Sequence, residues 1–360
     1  MSKKENLYVD IHVIQTVPPS CVNRDDTGTP KQCVFGGIRR ARVSSQSWKR
    51  AVRVAFRDMY DPENLGNRTK NIVSMVADYI KTMNESADAE KLAISVLEAA
   101  GLSISKKDPK KGTDALFFMS QAQAKALAEI AVSTSEKKID KDVCKDALKE
   151  NPSVDMALFG RMVASDPSLK YDAAAMVAHA ISTHKVQTEY DYFTAVDDLS
   201  ADDNAGAGHL GTVEYNSSTL YRYASVNVKE LASSLGDDTP AAVRNFTEAF
   251  LLSMPTGKLS TFANRSIPNA VYVTIRSDQP VNMAAAFERP VPLSDEGGYI
   301  EGSEQALVKY AKSIYGTFID EPEKVWIIGD GMEPLGETVK LNTMLAEIST
   351  YLQTRLAEDK

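Results

Sequence analysis

The sequence predicts an α+β protein, on three observations. Strand-like and helix-like segments are interleaved without a strict βαβ rhythm, a block from Asp61 to about Asp172 is helical in character, and a long polar excursion separates two of the strand-like segments. With 360 residues, 43% of them hydrophobic, the chain has ample material for a sizeable core, as one large domain with insertions or as two or three domains.

The elements follow in order. Leu7 to Thr16 alternates, with Leu7, Val9, Ile11 and Val13 on one face and Tyr8, Asp10, His12 and Ile14 on the other. That pattern predicts a half-buried strand with its second face available. A polar loop from Pro18 to Val34 carries Arg24 and Lys31, and a glycine pair, Gly36 and Gly37, permits a close backbone approach before a short strand at Arg40 to Ser44. A helix comes next, its apolar positions Trp48, Ala51, Val52, Ala55 and Met59 recurring at three and four residue steps while Lys49, Arg53 and Arg57 mark another face. Helices are then predicted at Thr69 to Met83, Asp88 to Ala100, Ser120 to Val132 and Lys138 to Lys149, with a Lys, Pro and Gly loop at Ser105 to Thr113.

Val177 to Lys185 and Leu220 to Val228 return to strand. The excursion between them is acidic and polar at Ala201 to Asn204 and glycine-rich at Gly206, Gly208 and Gly211, as a projecting hairpin would be. Further helices are predicted at Thr239 to Ser253, with Thr239 as N-cap and Pro240 at N1, at Ser303 to Tyr315 and from about Leu341 to Ala357. Strands fall at Val271 to Arg276 and Lys324 to Ile328.

Charge gives the strongest functional signal. The formal net charge is −8, yet Ile38 to Arg57 holds Arg39, Arg40, Arg42, Lys49, Arg50, Arg53 and Arg57 and no acidic residue. An anionic partner is expected at this local feature. Lys49 and Arg50 occupy the first turn of the predicted helix, where the dipole favours acids by about 0.3 to 1 kcal/mol per charge. Together with the hydroxyls of Ser44, Ser45 and Ser47, the Gln46 amide and free N–H groups, they would suit a phosphate. An ordinary solvated basic face is the alternative.

Catalytic and metal readings find little support. His179 and His184 are five apart, an odd separation that puts them on opposite faces of a strand, and His12 reads as a hydrogen-bonded sheet histidine. Asp25 with Asp26, and Asp197 with Asp198, read as solvated turn residues. P-loop, nucleophile-elbow and HExxH patterns are absent, and the glycine spacing at Gly206 to Gly211 lacks a strand-turn-helix context. Cys21, Cys33 and Cys144 form no CxxC pair, which suits a reducing compartment without disulfides or structural zinc. The opening Met1 to Asn6 is charged, unlike a signal peptide, and the uncharged run Ala173 to His184 is too short to span a bilayer as a helix. A cytoplasmic protein with no membrane partner, no cofactor, no metal and no catalytic residue is expected. The aromatics Tyr192, Phe193, Tyr221 and Tyr223 around the excursion fit either core packing or stacking on bases.

A set of motifs then carries a resemblance. SCVNRDD at Ser20 to Asp26, FGGIRRARVSSQSWKRAVR from Phe35, GRM at Gly160 to Met162, AHAISTHKV at Ala178 to Val186, FTAVDDL at Phe193 to Leu199 and GHLGTVEYNSSTLYRYASVNV at Gly208 to Val228 occur in one order. Together they resemble the backbone subunit of the type I-E CRISPR surveillance complex, Cascade. The resemblance implies an RRM-like (ferredoxin-like) palm formed by residues 1–60, 175–187 and 223–360, a helical fingers insertion at 61–174 and a β-hairpin thumb at 188–222. The RNP1 sequence of ordinary RRMs is absent.

The same resemblance implies a non-catalytic subunit whose copies polymerise along one guide RNA and present it for pairing with target DNA, in contact with other Cascade subunits. Guide-backbone contacts would come from Arg24, Lys31, Ser44, Gln46, Lys49, Arg50, Arg53 and Lys258. Met162, Tyr192, Phe193 and Thr194 would flank a nucleotide displaced from the heteroduplex. Ile38 stands where a basic residue would extend the cluster, and the lysines expected just after Phe287 to Arg289 are missing. A metal-dependent endoribonuclease, as in the related type III backbone, is the alternative; the lack of clustered acids favours the RNA-binding subunit.

Overall fold

In the computed structural model, which describes residues 6–110, 112–134, 139–163, 166–195 and 209–358, the alternating segment at the start of the chain becomes β1 (Tyr8–Ser20). Short strands β2 (Gln32–Phe35) and β3 (Ile38–Val43) and the helix α1 (Ser45–Ala55) follow. Next come β4 (Gly66–Thr69), α2 (Ile72–Met83), α3 (Ala89–Ala99), β5 (Phe117–Ser120), α4 (Gln121–Ser133), α5 (Lys141–Lys149) and α6 (Val154–Phe159). Strands β6 (Ala175–Val177), β7 (Ala180–Ser182), β8 (Glu189–Ala195) and β9 (His209–Asn227) lead to α7 (Val228–Leu235), α8 (Thr239–Leu252) and α9 (Leu259–Phe262). The chain continues through β10 (Ala270–Arg276), α10 (Ile300–Ile314), β11 (Lys324–Ile328) and α11 (Leu341–Glu358). The α+β class expected from the sequence is the one observed.

Two compact units result. One comprises Met1–Val52, Val177–Ser225 and Phe246–Lys360; the other comprises Arg53–Met176 and Val226–Asn245. The second unit therefore takes in α7 and the start of α8, which the boundaries drawn from the resemblance assign to the palm.

The first unit is built on a sheet whose strands run β11–β10–β1–β9–β7–β3–β2, with β8 paired to β9. β1 and β10 are antiparallel with Val13 opposite Val271, and β10 and β11 are antiparallel with Val273 opposite Trp326. The expectation of one available face on β1 is corrected here: Val9 through Val13 are buried on both sides. The face carrying Asp10 and His12 is covered by tyrosines. His12 Nδ1 accepts from the Tyr221 hydroxyl at 2.9 Å, and that hydroxyl in turn accepts from the Met283 N–H at 3.0 Å. Asp10 accepts from the Tyr223 hydroxyl at 2.9 Å and the Val281 N–H at 2.8 Å. Burial disfavours the charged form of each, holding His12 down to about 3 and pushing Asp10 up to about 6.

The helix α1 buries Trp48, Ala51 and Val52, as its periodicity requires, but ends at Ala55; a 3-10 turn at Phe56–Asp58 replaces the last turn expected from Met59. Behind Trp48 lies Arg222, 1% exposed, its guanidinium 3.8 Å from the indole centroid and 4.5 Å from the Phe250 ring. It donates to the Gln15 side-chain oxygen and the Phe250 carbonyl. Burial lowers its pKa to about 9. Desolvated stacking of this kind stabilises by about 2 kcal/mol or more.

In the second unit, α2, α3 and α4 pack around Val73, Val76, Ile80, Val96, Leu97 and Leu127. Ser120 and Gln123 form a capping box that starts α4, and Asp88 and Asp140 cap α3 and α5. This unit has its own caged arginine. Arg161, 3% exposed, donates to the carbonyl oxygens of Leu148, Leu169 and Phe118 and to the Gln123 side-chain oxygen at 2.7 to 3.2 Å. Among the described residues, no helix is long and apolar enough to cross a membrane.

Candidate nucleic-acid interface

The loop between β1 and β2 is fixed by its own polar groups. Asp25 accepts from the Thr27 and Thr29 N–H groups, both at 3.0 Å, and from the Thr27 hydroxyl at 2.7 Å, which holds its carboxyl below the usual range. Arg24 and Pro30 form a bridge across the loop, and the Lys31 N–H donates to the Asn23 carbonyl at 2.8 Å. Asp25 is thus a turn residue, as the sequence suggested.

Two long-range links bring other expected residues to this loop. The Asn23 side-chain oxygen accepts from the Ser44 N–H at 2.9 Å, which ties the loop to the start of α1. Gly257 lies so close to Val22 that a Cβ there would sit 2.0 Å from the Val22 carbonyl oxygen. The neighbouring Lys258, in the left-handed region with φ of 48°, is thereby held near Cys21 together with Arg24. Arg24, Lys31, Ser44 and Lys258 are therefore gathered in one unit from distant points in the sequence.

The basic run itself divides. Arg40 is fully buried and donates to the backbone carbonyls of Ser182, Thr183, Phe287 and Glu288 at 2.8 to 3.2 Å. Gly36 abuts the same carbonyl of Glu288, where a Cβ would fall 1.8 Å away. Arg42 donates to the Gln32 carbonyl at 3.3 Å and to His179 Nδ1 at 3.2 Å. Arg39, Gln46, Arg50 and Arg57 are exposed and Lys49 is half-buried.

Arg53 departs from the expectation of an exposed stripe. Its Nε donates to Asp155 at 2.8 Å, one Nη donates to the Gly66 carbonyl at 3.1 Å, and the guanidinium lies 4.5 Å from the Phe118 ring centroid. Its side chain is 24% exposed. The reason is Asp155, 3% exposed, which also accepts from the Gly66 N–H and the Ser153 hydroxyl and needs a cation beside it. Ser44, in turn, is buried; its hydroxyl meets that of Ser47 at 3.1 Å, and its carbonyl accepts from the N–H groups of Ser47 and Trp48.

The expected thumb is an antiparallel hairpin over the described residues, with Glu189 opposite Tyr215 and Ala195 opposite His209. All seven residues of β8 are exposed. Tyr190 and Tyr192 share one face at 66% and 65% exposure with Thr194, while Phe193 lies on the other, opposite Gly211. The middle of the excursion at Ala201 to Asn204, with Asp197, Asp198, Gly206 and Gly208, lies outside the described residues. Tyr221 and Tyr223 belong to the core. Met162 belongs to the helical unit, where it is 89% exposed beside the caged Arg161 and the bridge from Arg161 to Tyr171.

His184 has both nitrogens occupied, Nδ1 donating to the Lys185 carbonyl and Nε2 accepting from the Thr219 N–H, and its ring stacks on Tyr299 at 3.6 Å. Among the described residues, no three His, Cys, Asp or Glu side chains cluster as a metal site. Sequence reading missed Arg222 behind Trp48, Asp155 beside Arg53 and the part Asn23 plays in joining loop to helix. None of these pairs carries a local signal, because the partners are far apart in the chain.

This is an α+β protein with a cation-rimmed, pre-formed loop and helix start beside an exposed aromatic hairpin, an arrangement suited to a polyanion. The chain belongs to the CT1975-like protein family, which it matches over residues 9–351. It is 33% identical to a chain of a structure described as a CRISPR RNA-guided surveillance complex, pre-nicking, with a TM-score of 0.78, covering 95% of this chain and 100% of that one. A chain of a second CRISPR RNA-guided surveillance complex is 29% identical, with a TM-score of 0.61, covering 94% of this chain and 99% of that one. The family resemblance read from the motifs agrees with both. No curated protein matches the chain.

Proposed function

We propose that this protein is the guide-RNA-binding backbone subunit of a cytoplasmic Cascade complex acting in antiviral defence. It grips the CRISPR RNA backbone without reading sequence and polymerises along it as a helical filament. Target DNA is then recognised by base pairing with the guide. The observation that carries this reading is the full-length similarity to chains of CRISPR RNA-guided surveillance complexes. The gathering of Arg24, Lys31 and Lys258 beside the start of α1 supports it, because cations on a fixed backbone frame position phosphates irrespective of base.

The hairpin would reach toward a neighbouring copy, with Tyr192, Phe193 and Thr194 at the displaced nucleotide and Met162 of another surface completing the wedge. The protein performs no chemistry on the nucleic acid in this reading. Co-expression with a CRISPR transcript, followed by electron microscopy and nuclease footprinting of the purified particle, tests it. Regular filaments with periodic RNA protection are expected. A chain purified without RNA overturns the reading, and divalent-metal-dependent cleavage of RNA favours the nuclease of the type III kind. Affinity for single-stranded RNA should fall with salt at about 0.7 log units per log unit for each phosphate contacted.

A further inference from the structure

Lys31, Arg42 and His179 meet on one face of the sheet unit. The Arg42 N–H donates to the Lys31 carbonyl at 2.9 Å, and the pairing of Gln32 with Ala41 beside them sets Lys31 and Arg42 directly opposite each other. Like charges in that position repel. On its other side β3 pairs with β7, Arg42 opposite Ile181, so His179, two residues before Ile181, shares the face of Arg42. The guanidinium reaches it, with Arg42 Nη1 3.2 Å from His179 Nδ1. Lys31 and Arg42 are half-buried and His179 is exposed. Among the described residues, neither cation is ion-paired.

The hydrogen bond fixes the state of the ring. A guanidinium can only donate, so Nδ1 accepts, the imidazole is neutral and its proton sits on Nε2. Desolvation, then Arg42 and Lys31, hold the pKa of His179 below its ordinary value. Those two are the charged groups that act on it; β9, across β7, sets the uncharged Tyr221 opposite Ile181. A proton added at Nδ1 would face the guanidinium and break the bond between them. An anion among the three side chains reverses this, because Lys31 and Arg42 can donate to it, their mutual repulsion is offset, and a protonated Nδ1 gains an acceptor. A phosphodiester offers the single charge and the paired oxygens that such a set can share.

We propose that Lys31, Arg42 and His179 seat one phosphate of the bound strand, and that His179 takes up a proton as the phosphate arrives. The inference rests on the RNA-binding function above; it adds Arg42 and His179 to the interface and couples the grip to pH. Proton uptake on binding makes affinity rise as pH falls from the pKa of the occupied site to that of the empty one, and level off on either side.

The test measures binding of the full chain to a short mixed-sequence single-stranded RNA by fluorescence anisotropy, between about pH 8 and about pH 5.5 at constant ionic strength. The native chain is expected to bind more tightly as pH falls, by up to about tenfold per pH unit, the slope for one proton taken up. His179→Gln keeps an acceptor for Arg42 and cannot be protonated, so its affinity should match that of the native chain at the alkaline end and stay flat. Of the four histidines, His12 and His184 are buried, which leaves His209 as the other imidazole to consider. An undiminished pH response in His179→Gln places the proton elsewhere and overturns the inference. A pH-independent affinity of the native chain also overturns it and leaves the RNA-binding function standing, whereas no RNA binding at any pH overturns both. Arg42→Gln reads the phosphate itself: the slope of log affinity against log salt should become shallower by about 0.7, and an unchanged slope overturns the site. If Arg42→Gln does not fold, His179→Gln decides alone.

Discussion

Arg40 and Arg50 belong to the same basic run and have opposite fates. The inner part of the run, Arg40 and Arg53, is spent on four backbone carbonyls in one case and on Asp155 in the other, while Arg39 and Arg50 face solvent. Charge density along a chain therefore measures two things at once. A guanidinium can cross-link carbonyls that no ladder satisfies, and it can also offer charge to a ligand. Among the described residues, both units use the first device, Arg222 and Arg40 in the sheet unit and Arg161 in the helical one.

The largest loss of stability is expected from the buried side of α1. Trp48→Ala removes the surface on which Arg222 lies and should cost about 3 to 5 kcal/mol, read as a lowered midpoint in urea. An effect under about 1 kcal/mol would mean that the stacked pair contributes little.

The interior pair on β1 makes stability depend on pH. His12 has a folded pKa far below its unfolded value, so the unfolded state binds the extra proton and stability falls as pH drops from about 6.5 toward 3. Asp10 has a raised folded pKa, so between about 6 and its unfolded value the folded state binds more protons and stability rises as pH drops. The two oppose each other below pH 6. Asp10→Asn keeps the acceptor for Val281 and removes the compensation, so its stability should fall with decreasing pH more steeply than that of the native chain, by up to about 1.4 kcal/mol per pH unit. Parallel pH profiles for the two proteins would contradict this.

Arg53→Ala leaves Asp155 buried without its cation and should cost roughly 1 to 3 kcal/mol. The change would appear as a lower thermal midpoint, whether or not RNA is present. Arg24→Glu combined with Arg50→Glu is the outward counterpart: both side chains are exposed, so stability should shift by no more than about 0.5 kcal/mol while RNA retention is lost. Retained RNA in that double variant would remove these cations from the interface. Phe193→Ala should be milder still, leaving assembly intact and altering only the footprint at the displaced nucleotide.

Much of the architecture was legible in the sequence because it depends on period. The strand at Lys324–Ile328 falls where the sequence placed it, and α4 begins at the Ser120 boundary because a serine and a glutamine three apart can cap each other in any context. Trp48 is buried as its three and four residue spacing demanded. The motifs from Ser20 to Val228 likewise carried the family without any coordinates. β1 failed the same reasoning, since its polar positions are covered by Tyr221, Tyr223 and Tyr272, three aromatics supplied by strands more than two hundred residues away.

The sequence by itself thus determined the α+β class, the helix and strand periods and the family, all of which reside in local order. It also located the positive charge. Which of those charges remain available was decided only by the tertiary structure, because it depends on what a distant segment places beside each one. Asp155 neutralises Arg53, Gly257 admits Lys258 to the loop at Val22, and Asn23 fixes Ser44. Hydrogen bonds and ion pairs act over a few ångströms of space, and spacing along the chain does not encode those distances.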